Sequence, residues 1–128
     1  MIFFDTDVMI DILRGFNPAV EWLKSLREQE IGVPGFVAME LLQGCQNARE
    51  QHRLEKELAI YEFYWPDTED CDRALESFSS YHLSDNIGLL DALIAETAVG
   101  HGAQLATFNV KHYRVLKSLQ SVQPYKRQ

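Results

Sequence analysis

Short apolar runs alternate along the chain with longer segments in which apolar residues recur every three or four positions. The short runs are typical of buried strands and occupy residues 2–5, 31–33, 61–65 and 104–108, with Val122 in a final edge strand. The helical spacing predicts helices that begin at Thr6 or Asp7, Pro18, Phe36, residue 47, Asp67 or Thr68, and Gly88, with a short helical turn after Asn109. This alternation predicts an α/β fold with a short, mostly parallel central sheet and helices on both faces, in a single domain over residues 1–128.

Two polar residues follow predicted strands at the edge where such sheets bind ligands. Asp5 ends the first apolar run, and Asn109 follows another. Ligands of parallel α/β sheets bind beyond the carboxyl ends of the strands, so we expect both residues near one site. An unpaired buried carboxylate is costly, and Asp5 therefore needs a partner that offsets its charge.

Two further acids lie among apolar neighbours on predicted helices. Glu40 is embedded in FVAMELL, and Asp91 in GLLDALIAETAV. Taken singly, each acid has a simpler explanation: Asp5 or Asp7 caps a helix, Glu40 pairs with an arginine, and Asp91 favours the positive end of its helix. One divalent cation accounts for Asp5, Glu40 and Asp91 together.

The ligand chemistry of these acids indicates which cation to expect. Carboxylate oxygens suit Mg²⁺ or Mn²⁺, whereas zinc sites use Cys or His. The four histidines, at positions 52, 82, 101 and 112, have no ligand spacing and are interpreted as surface or supporting residues. Acids that hold Mg²⁺ are a common device for hydrolysing phosphate esters.

Composition and charge narrow the function classes. The net charge of −7 argues against a surface that coats nucleic acid, but it is compatible with an acidic cleft or a basic protein partner. No apolar run approaches the ~20 residues of a membrane span, and acids interrupt the N-terminus, which is unlike a signal peptide. Cys45 and Cys71 lack metal-ligand spacing and are expected as reduced thiols. We therefore expect a cytoplasmic protein with no membrane association.

Four segments, in this order, resemble the PIN domain, and specifically the toxin nucleases of VapBC toxin–antitoxin pairs. They are DTDVMIDIL, MELLQG, GLLDALIAETAV and LATFNVKHY, spread over about residues 1–125. The resemblance implies a Mg²⁺- or Mn²⁺-dependent endoribonuclease that cuts RNA, forms a homodimer, and is inhibited by a cognate antitoxin.

The resemblance also assigns roles to individual residues. Asp5, Glu40 and Asp91 would be the metal-binding acids, holding the ion directly or through water. Asn109 would complete the catalytic set. Asp7 and Thr107 would support it, Thr107 as a hydroxyl donor close to the site.

One departure and two rivals stand beside this interpretation. Relatives often carry Ser or Thr shortly before the glutamate, where this chain has Pro34-Gly35-Phe36. An apolar strand followed by DTDV also resembles haloacid-dehalogenase-type phosphatases, although no acid follows Glu96 to complete that family's later motif. The second rival is a PIN-like binding module with weak or no catalysis.

Glu96 is expected either as a further site acid or as part of the exposed side of its helix. The tail from Lys126 is expected to be frayed.

Overall fold

The central sheet has five short strands that all run parallel. The computed structural model describes residues 1–127, and in that part of the chain the strands are β1 (Ile2–Phe4), β2 (Ile31–Pro34), β3 (Phe63–Tyr64), β4 (Gln104–Ala106) and β5 (Ser121–Val122). Their order across the sheet is β3-β2-β1-β4-β5. The α/β fold with a parallel sheet is therefore confirmed, and the sheet is parallel throughout.

Seven helices flank the sheet within residues 1–127. They are α1 (Thr6–Leu13), α2 (Asn17–Ser25), α3 (Gly35–Gln43), α4 (Ala48–Leu58), α5 (Thr68–Asp85), α6 (Leu89–Gly100) and α7 (Val110–Tyr113). Side-chain caps mark three of the starts, since Asp5 accepts the backbone N–H of Thr6, Asn47 that of Glu50, and Asp67 that of Asp70. Local chemistry in the sequence therefore places most helix boundaries correctly.

Some predicted boundaries differ from the structure by two residues or more. The predicted strand at residues 61–65 pairs only over Phe63–Tyr64, because the Tyr61 N–H turns back to bond the Leu58 carbonyl. The strand predicted to reach residue 108 ends at Ala106. Helix α5 continues four residues beyond Tyr81 and ends where Asn86 takes a left-handed conformation at φ 57°.

The strand order creates a reversal point between β1 and β4. The chain moves from β1 through β2 to β3 on one side, then crosses back to β4 and β5 on the other. Right-handed crossovers then place α1 to α4 on one face and α5 to α7 on the opposite face. The aromatic contacts agree, since Phe4 packs on Trp22 of α2 while Phe3 packs on His101 after α6.

The reversal point puts the carboxyl ends of β1 and β4 side by side. Phe4 pairs with Ala106, so Asp5 and Thr107 leave the sheet at the same level. Crevices of this kind are where open α/β sheets bind ligands.

No helix within residues 1–127 is both long and apolar enough to cross a membrane.

Gly32 in β2 offers a test of how tightly the sheet packs on its aromatic cover. A Cβ at this position would meet the Tyr64 ring and lie 2.8 Å from the Phe3 ring. Gly32→Ala is therefore expected to lower the free energy of unfolding by about 1–3 kcal/mol, measured by urea denaturation. Gly44→Ala is the matched control, because its Cβ meets only two backbone carbonyl oxygens, at 3.4 and 4.0 Å, and its helical φ of −75° suits alanine. Equal stability of the two variants would contradict this account of the packing.

Candidate active site

Asp5 lies at the carboxyl end of β1 and is the most deeply buried acid of the candidate site. Its side chain is 4% exposed. The Thr6 backbone N–H donates to Oδ1 at 2.8 Å, and the Thr107 hydroxyl donates to Oδ2 at 2.8 Å. Thr107 Oγ1 in turn accepts the N–H of Asn109 at 3.1 Å. Asp5 thus caps α1 and also joins the ends of β1 and β4.

Asp7 makes a second link between the same two chain segments. Its Oδ1 accepts the N–H of Val8 at 2.8 Å, and its Oδ2 accepts the N–H of Phe108 at 3.0 Å. The first turn of α1 is therefore fixed against the segment that follows β4.

Glu40 reaches the site from α3 through a threonine. The Thr6 hydroxyl donates to Glu40 Oε1 at 2.6 Å. Within residues 1–127 Glu40 has no arginine or other ion-pair partner. Helix α3 begins at Pro34-Gly35 without a side-chain cap, so the hydroxyl that contacts this glutamate comes from α1 instead.

Asp91 is held by its own helix and by α7. Its Oδ2 accepts the Gly88 N–H at 2.8 Å and lies 2.9 Å from His112 Nε2. The Tyr113 hydroxyl is 3.5 Å from Oδ1. Asp91 thus lies at the positive end of its helix, as its simpler explanation required, and it also has two side-chain contacts from α7.

Burial raises the proton affinity of two of the site's acids, Asp5 and Asp7. Burial, and then the nearby charge of Asp7, raise the pKa of Asp5 to about 6, and Asp91 contributes in the same direction. Burial also raises the pKa of Asp7, although the Phe108 N–H opposes the change. The pKa of Tyr113 lies well above its ordinary value because the phenol is buried beside Asp5 and Asp91, so it remains a hydrogen-bond donor.

The acids approach one another without forming a ready-made cage. Within residues 1–127 no three His, Cys, Asp or Glu side chains are arranged to hold a metal ion as they stand. Asn109 is exposed, and in the described part of the chain its side-chain amide forms no hydrogen bond to the acids. Its backbone N–H contributes instead, through Thr107.

Thr6 and Tyr113 were not singled out from the sequence as site residues, and His112 was expected only as a surface or supporting residue. Thr6 connects Asp5 to Glu40, while His112 and Tyr113 contact Asp91. His112 and Tyr113 lie three and four residues after Asn109, one helical turn away, and this spacing is the signal that could have found them. Thr6 has a weaker signal, as a hydroxyl between two aspartates at a strand end.

Comparison with known proteins identifies the family. The PIN-domain profile matches residues 2–117, which is most of the chain. The chain belongs to the PIN-domain family. Ribonuclease VapC10 of Mycobacterium tuberculosis is 38% identical over 122 residues, covering 93% of this PIN domain and 90% of the relative. Ribonuclease VapC19 of the same organism is 32% identical over 130 residues, covering 94% and 98%.

Solved structures share the fold of this PIN domain. A chain of a toxin–antitoxin complex from Klebsiella pneumoniae superposes with a TM-score of 0.78 at 23% identity, covering 98% of this chain and 99% of that one. A chain of VapBC2 from Rickettsia felis, in a complex with a DNA fragment from its promoter, gives 0.77 at 21% identity, covering 95% and 98%. At these identities the likeness concerns the fold.

Glu96 is part of a buried ion cluster on another side of α6. It is 5% exposed, so the prediction of an exposed side chain is wrong. Arg73 Nε donates to Glu96 Oε1 at 3.0 Å, and the same guanidinium contacts Asp70. Five residues of α-helix rotate a side chain by about 140°, which separates Glu96 from Asp91. Glu96 joins α6 to α5 in this PIN domain instead of joining the site acids.

The prediction of a frayed tail is wrong at Arg127, and Gln128 lies outside the described residues. Arg127 Nε donates to Asp11 Oδ2 at 3.1 Å, and its guanidinium lies 4.0 Å above the Phe108 ring. The Tyr125 hydroxyl donates to the same Asp11 oxygen at 2.8 Å. The end of the chain therefore packs on α1 beside Asp7. Sequence patterning missed this contact because the partners are more than 100 positions apart.

The raised pKa of Asp5 predicts a pH-dependent cost to stability. Its folded pKa of about 6 lies above the unfolded value of 3.8, so the folded state binds this proton more tightly. Lowering the pH from about 8 through 6 to about 4 then removes a cost of up to about 3 kcal/mol. Asp5→Asn is expected to be more stable than the wild-type PIN domain at about pH 8 and to lose most of this advantage near pH 4, measured by urea denaturation. Asp72→Asn, at an exposed position of α5, is the control, and a pH-independent gain for Asp5→Asn would contradict the prediction.

Proposed function

We propose that this chain is a Mg²⁺- or Mn²⁺-dependent endoribonuclease of the VapC type, the toxin component of a toxin–antitoxin pair. The observation that carries the proposal is the buried Asp5 carboxylate, unpaired with any cation in residues 1–127, beside Asp7 and Asp91 in a chain 38% identical to a named ribonuclease. A buried acid of this kind is costly for the fold and is typical of functional sites.

The side chains fit a hard divalent cation by their chemistry. All the candidate ligands are oxygen donors, and burial together with neighbouring negative charge raises the proton affinity of Asp5. Mg²⁺ usually keeps several waters and uses only one or two direct carboxylates, so a site without three converged acids suits it. We propose Asp5, Asp91 and Glu40 as the ligands, direct or through water, with Asn109 completing the catalytic set.

The chain's own residues then have distinct roles in hydrolysis. A bound ion would orient a water molecule, lower its pKa and offset negative charge on the phosphate. Asp5 is held rigidly by Thr6 and Thr107, Glu40 is oriented by the Thr6 hydroxyl, and Asp91 is oriented by His112 and Tyr113. One of these carboxylates helps to deprotonate the attacking water. Asp7 supports the arrangement by fixing the segment after β4.

We further propose an antitoxin partner, a homodimer and a cytoplasmic location. Several solved structures of this fold are toxin–antitoxin complexes, which supports an antitoxin for this chain. A groove between α1, α3 and α4, which we call the α1–α4 groove, opens beside Thr6 and Glu40, and its apolar lining includes Ile10, Leu13, Leu41 and Leu54. A groove of this kind suits an amphipathic segment.

Exposed leucines, of which Leu83 is 88% exposed, supply apolar surface for a second copy.

The two alternative functions are not equally well supported. The match to the PIN-domain family leaves the haloacid-dehalogenase alternative without support. A weak or inactive PIN-like module would keep the fold and bind the partner but would cut little or no RNA. A cleavage assay therefore distinguishes this alternative from the nuclease.

Cleavage of a mixed RNA pool by the purified protein tests the proposal. We expect cutting with Mg²⁺ or Mn²⁺, none with EDTA, and products with 5′-phosphate and 3′-hydroxyl ends, because water attacks and not the 2′-hydroxyl. Asp91→Asn should lower the rate by at least about a hundredfold, since one metal ligand is lost. Asp72→Asn makes the same chemical change at an exposed position and should cut normally. Cyclic 2′,3′-phosphate ends, or cutting in EDTA, would overturn the mechanism.

Thermal unfolding gives a test that does not depend on activity. A cation that neutralises buried acids binds the folded state preferentially and raises Tm by mass action. We expect Mn²⁺ to raise the Tm of the wild type and of Asp72→Asn, measured by differential scanning fluorimetry at neutral pH. The shift should be absent or much smaller in Asp5→Asn, where the buried charge is gone. Equal shifts in all three proteins would place the ion elsewhere.

A further inference from the structure

Helix α4 carries a basic face in an otherwise acidic chain. Arg49, Arg53 and Lys56 are exposed and follow one another at spacings of four and three residues, which puts them on one side of the helix. Within residues 1–127 none of the three forms an ion pair. Helix α4 also carries Glu50, Glu55 and Glu57, so its positive charge is concentrated on this one face and is balanced over the helix as a whole.

This face is continuous with the candidate active site. Arg53 lines the α1–α4 groove together with Thr6 and Glu40, the pair that connects the site to α3. Arg53 also borders the outer surface formed with Arg49 and Lys56. A ligand that lies along these three side chains is therefore led to the edge of the acid cluster.

We propose that Arg49, Arg53 and Lys56, the α4 basic face, bind the phosphate backbone of single-stranded RNA and direct it to the acid cluster. The inference rests on the proposed ribonuclease function, which it deepens by naming the surface that holds the substrate. Arginine and lysine supply most of the backbone affinity of nucleic-acid-binding proteins, through phosphate contacts that carry no sequence information.

The spacing of the three cations suits a polyanion. Along the axis of α4, Arg53 lies about 6 Å and Lys56 about 10 Å from Arg49, at 1.5 Å per residue. Phosphates in a stacked strand follow one another at ~3.4 Å, so the face covers roughly three backbone spacings. The three side chains are therefore expected to contact nearby phosphates of a single strand.

The charges of the neighbouring groove favour RNA over a protein partner on this face. Glu50 and Glu57 line the groove side of α4 next to Arg53. Their carboxylates disfavour phosphates against the apolar lining of the groove, so a backbone is expected to follow the outer face and to reach the acid cluster at the groove edge beside Arg53. The lining of the outer face includes three cations and no carboxylate, whereas the groove is lined by glutamates as well as by apolar side chains.

Binding of a labelled, unstructured RNA oligonucleotide tests the proposal, measured by fluorescence anisotropy over a range of salt concentrations. All proteins carry Asp91→Asn, so that the RNA stays intact. We expect the triple variant Arg49→Gln, Arg53→Gln, Lys56→Gln to bind about tenfold or more weakly at physiological salt. The slope of log K against log salt concentration should be smaller in magnitude by about 2 for this variant, because three phosphate contacts to a single strand are lost and each contributes ~0.7 to the slope.

The control is a triple variant with the same change of net charge elsewhere. Lys24→Gln, Arg27→Gln and Lys117→Gln neutralise cations that do not line the groove, and should leave affinity and salt slope close to the parent. Equal losses in both triple variants would show a general charge effect and overturn the proposal. Unchanged RNA binding in the α4 variant would also overturn the proposal, even if that variant had lost binding to an antitoxin.

Failure of the inference and failure of the proposed function give different results. If the wild type cuts RNA and the α4 variant binds RNA like its parent, the surface assignment is wrong and the nuclease stands. If the wild type cuts no RNA with Mg²⁺ or Mn²⁺ while the α4 variant still loses affinity, the surface binds RNA and the catalytic proposal is wrong.

Discussion

The buried charge of Asp5 is the constraint on which the site depends. Its carboxylate lies at the end of the central strand, and ionising it at neutral pH costs about 3 kcal/mol relative to the unfolded chain. Domains of this size are stable by only ~5–15 kcal/mol, so this cost is a substantial fraction of the whole. The backbone N–H of Thr6 and the hydroxyl of Thr107 reduce it without removing it. A cation bound between the acids is the arrangement that would reverse it.

The parallel sheet makes this concentration of acids possible. Strands β1 and β4 are neighbours only because the chain reverses its direction of travel across the sheet, and their carboxyl ends then lie side by side. Asp5 and Asp7 leave one strand, while Thr107 and Phe108 leave the other and donate to them. Each of these two acids therefore takes one hydrogen bond from its own helix and another from a segment about a hundred residues away. The fold, and not the local sequence, sets the distances between them.

This explains which features the sequence could predict. The order of helices and strands follows from periodicity and caps such as Asp67, which act within one turn. Asp5 and Asp91 stand out because carboxylates are rare in apolar surroundings. Thr6 and Tyr113 did not stand out, and His112 was not distinguished from the other histidines, because their contacts reach across the fold. Nothing local distinguishes a threonine that holds a glutamate from one that begins a helix. The burial of Glu96 has the same cause, since its partner Arg73 lies on another helix.

The distribution of charge has a consequence for any polyanionic substrate. Acids deep in a cleft repel phosphates, and an acidic chain as a whole does the same at long range. A nuclease of this composition needs positive charge from two sources: an ion at the acids, and side chains beside them. The α4 cations are exposed and adjoin the groove, so a substrate can reach them. Arg127 is paired with Asp11, and Asp5 is buried. Substrate affinity and chemistry would then depend on separate groups, so a change in one need not alter the other.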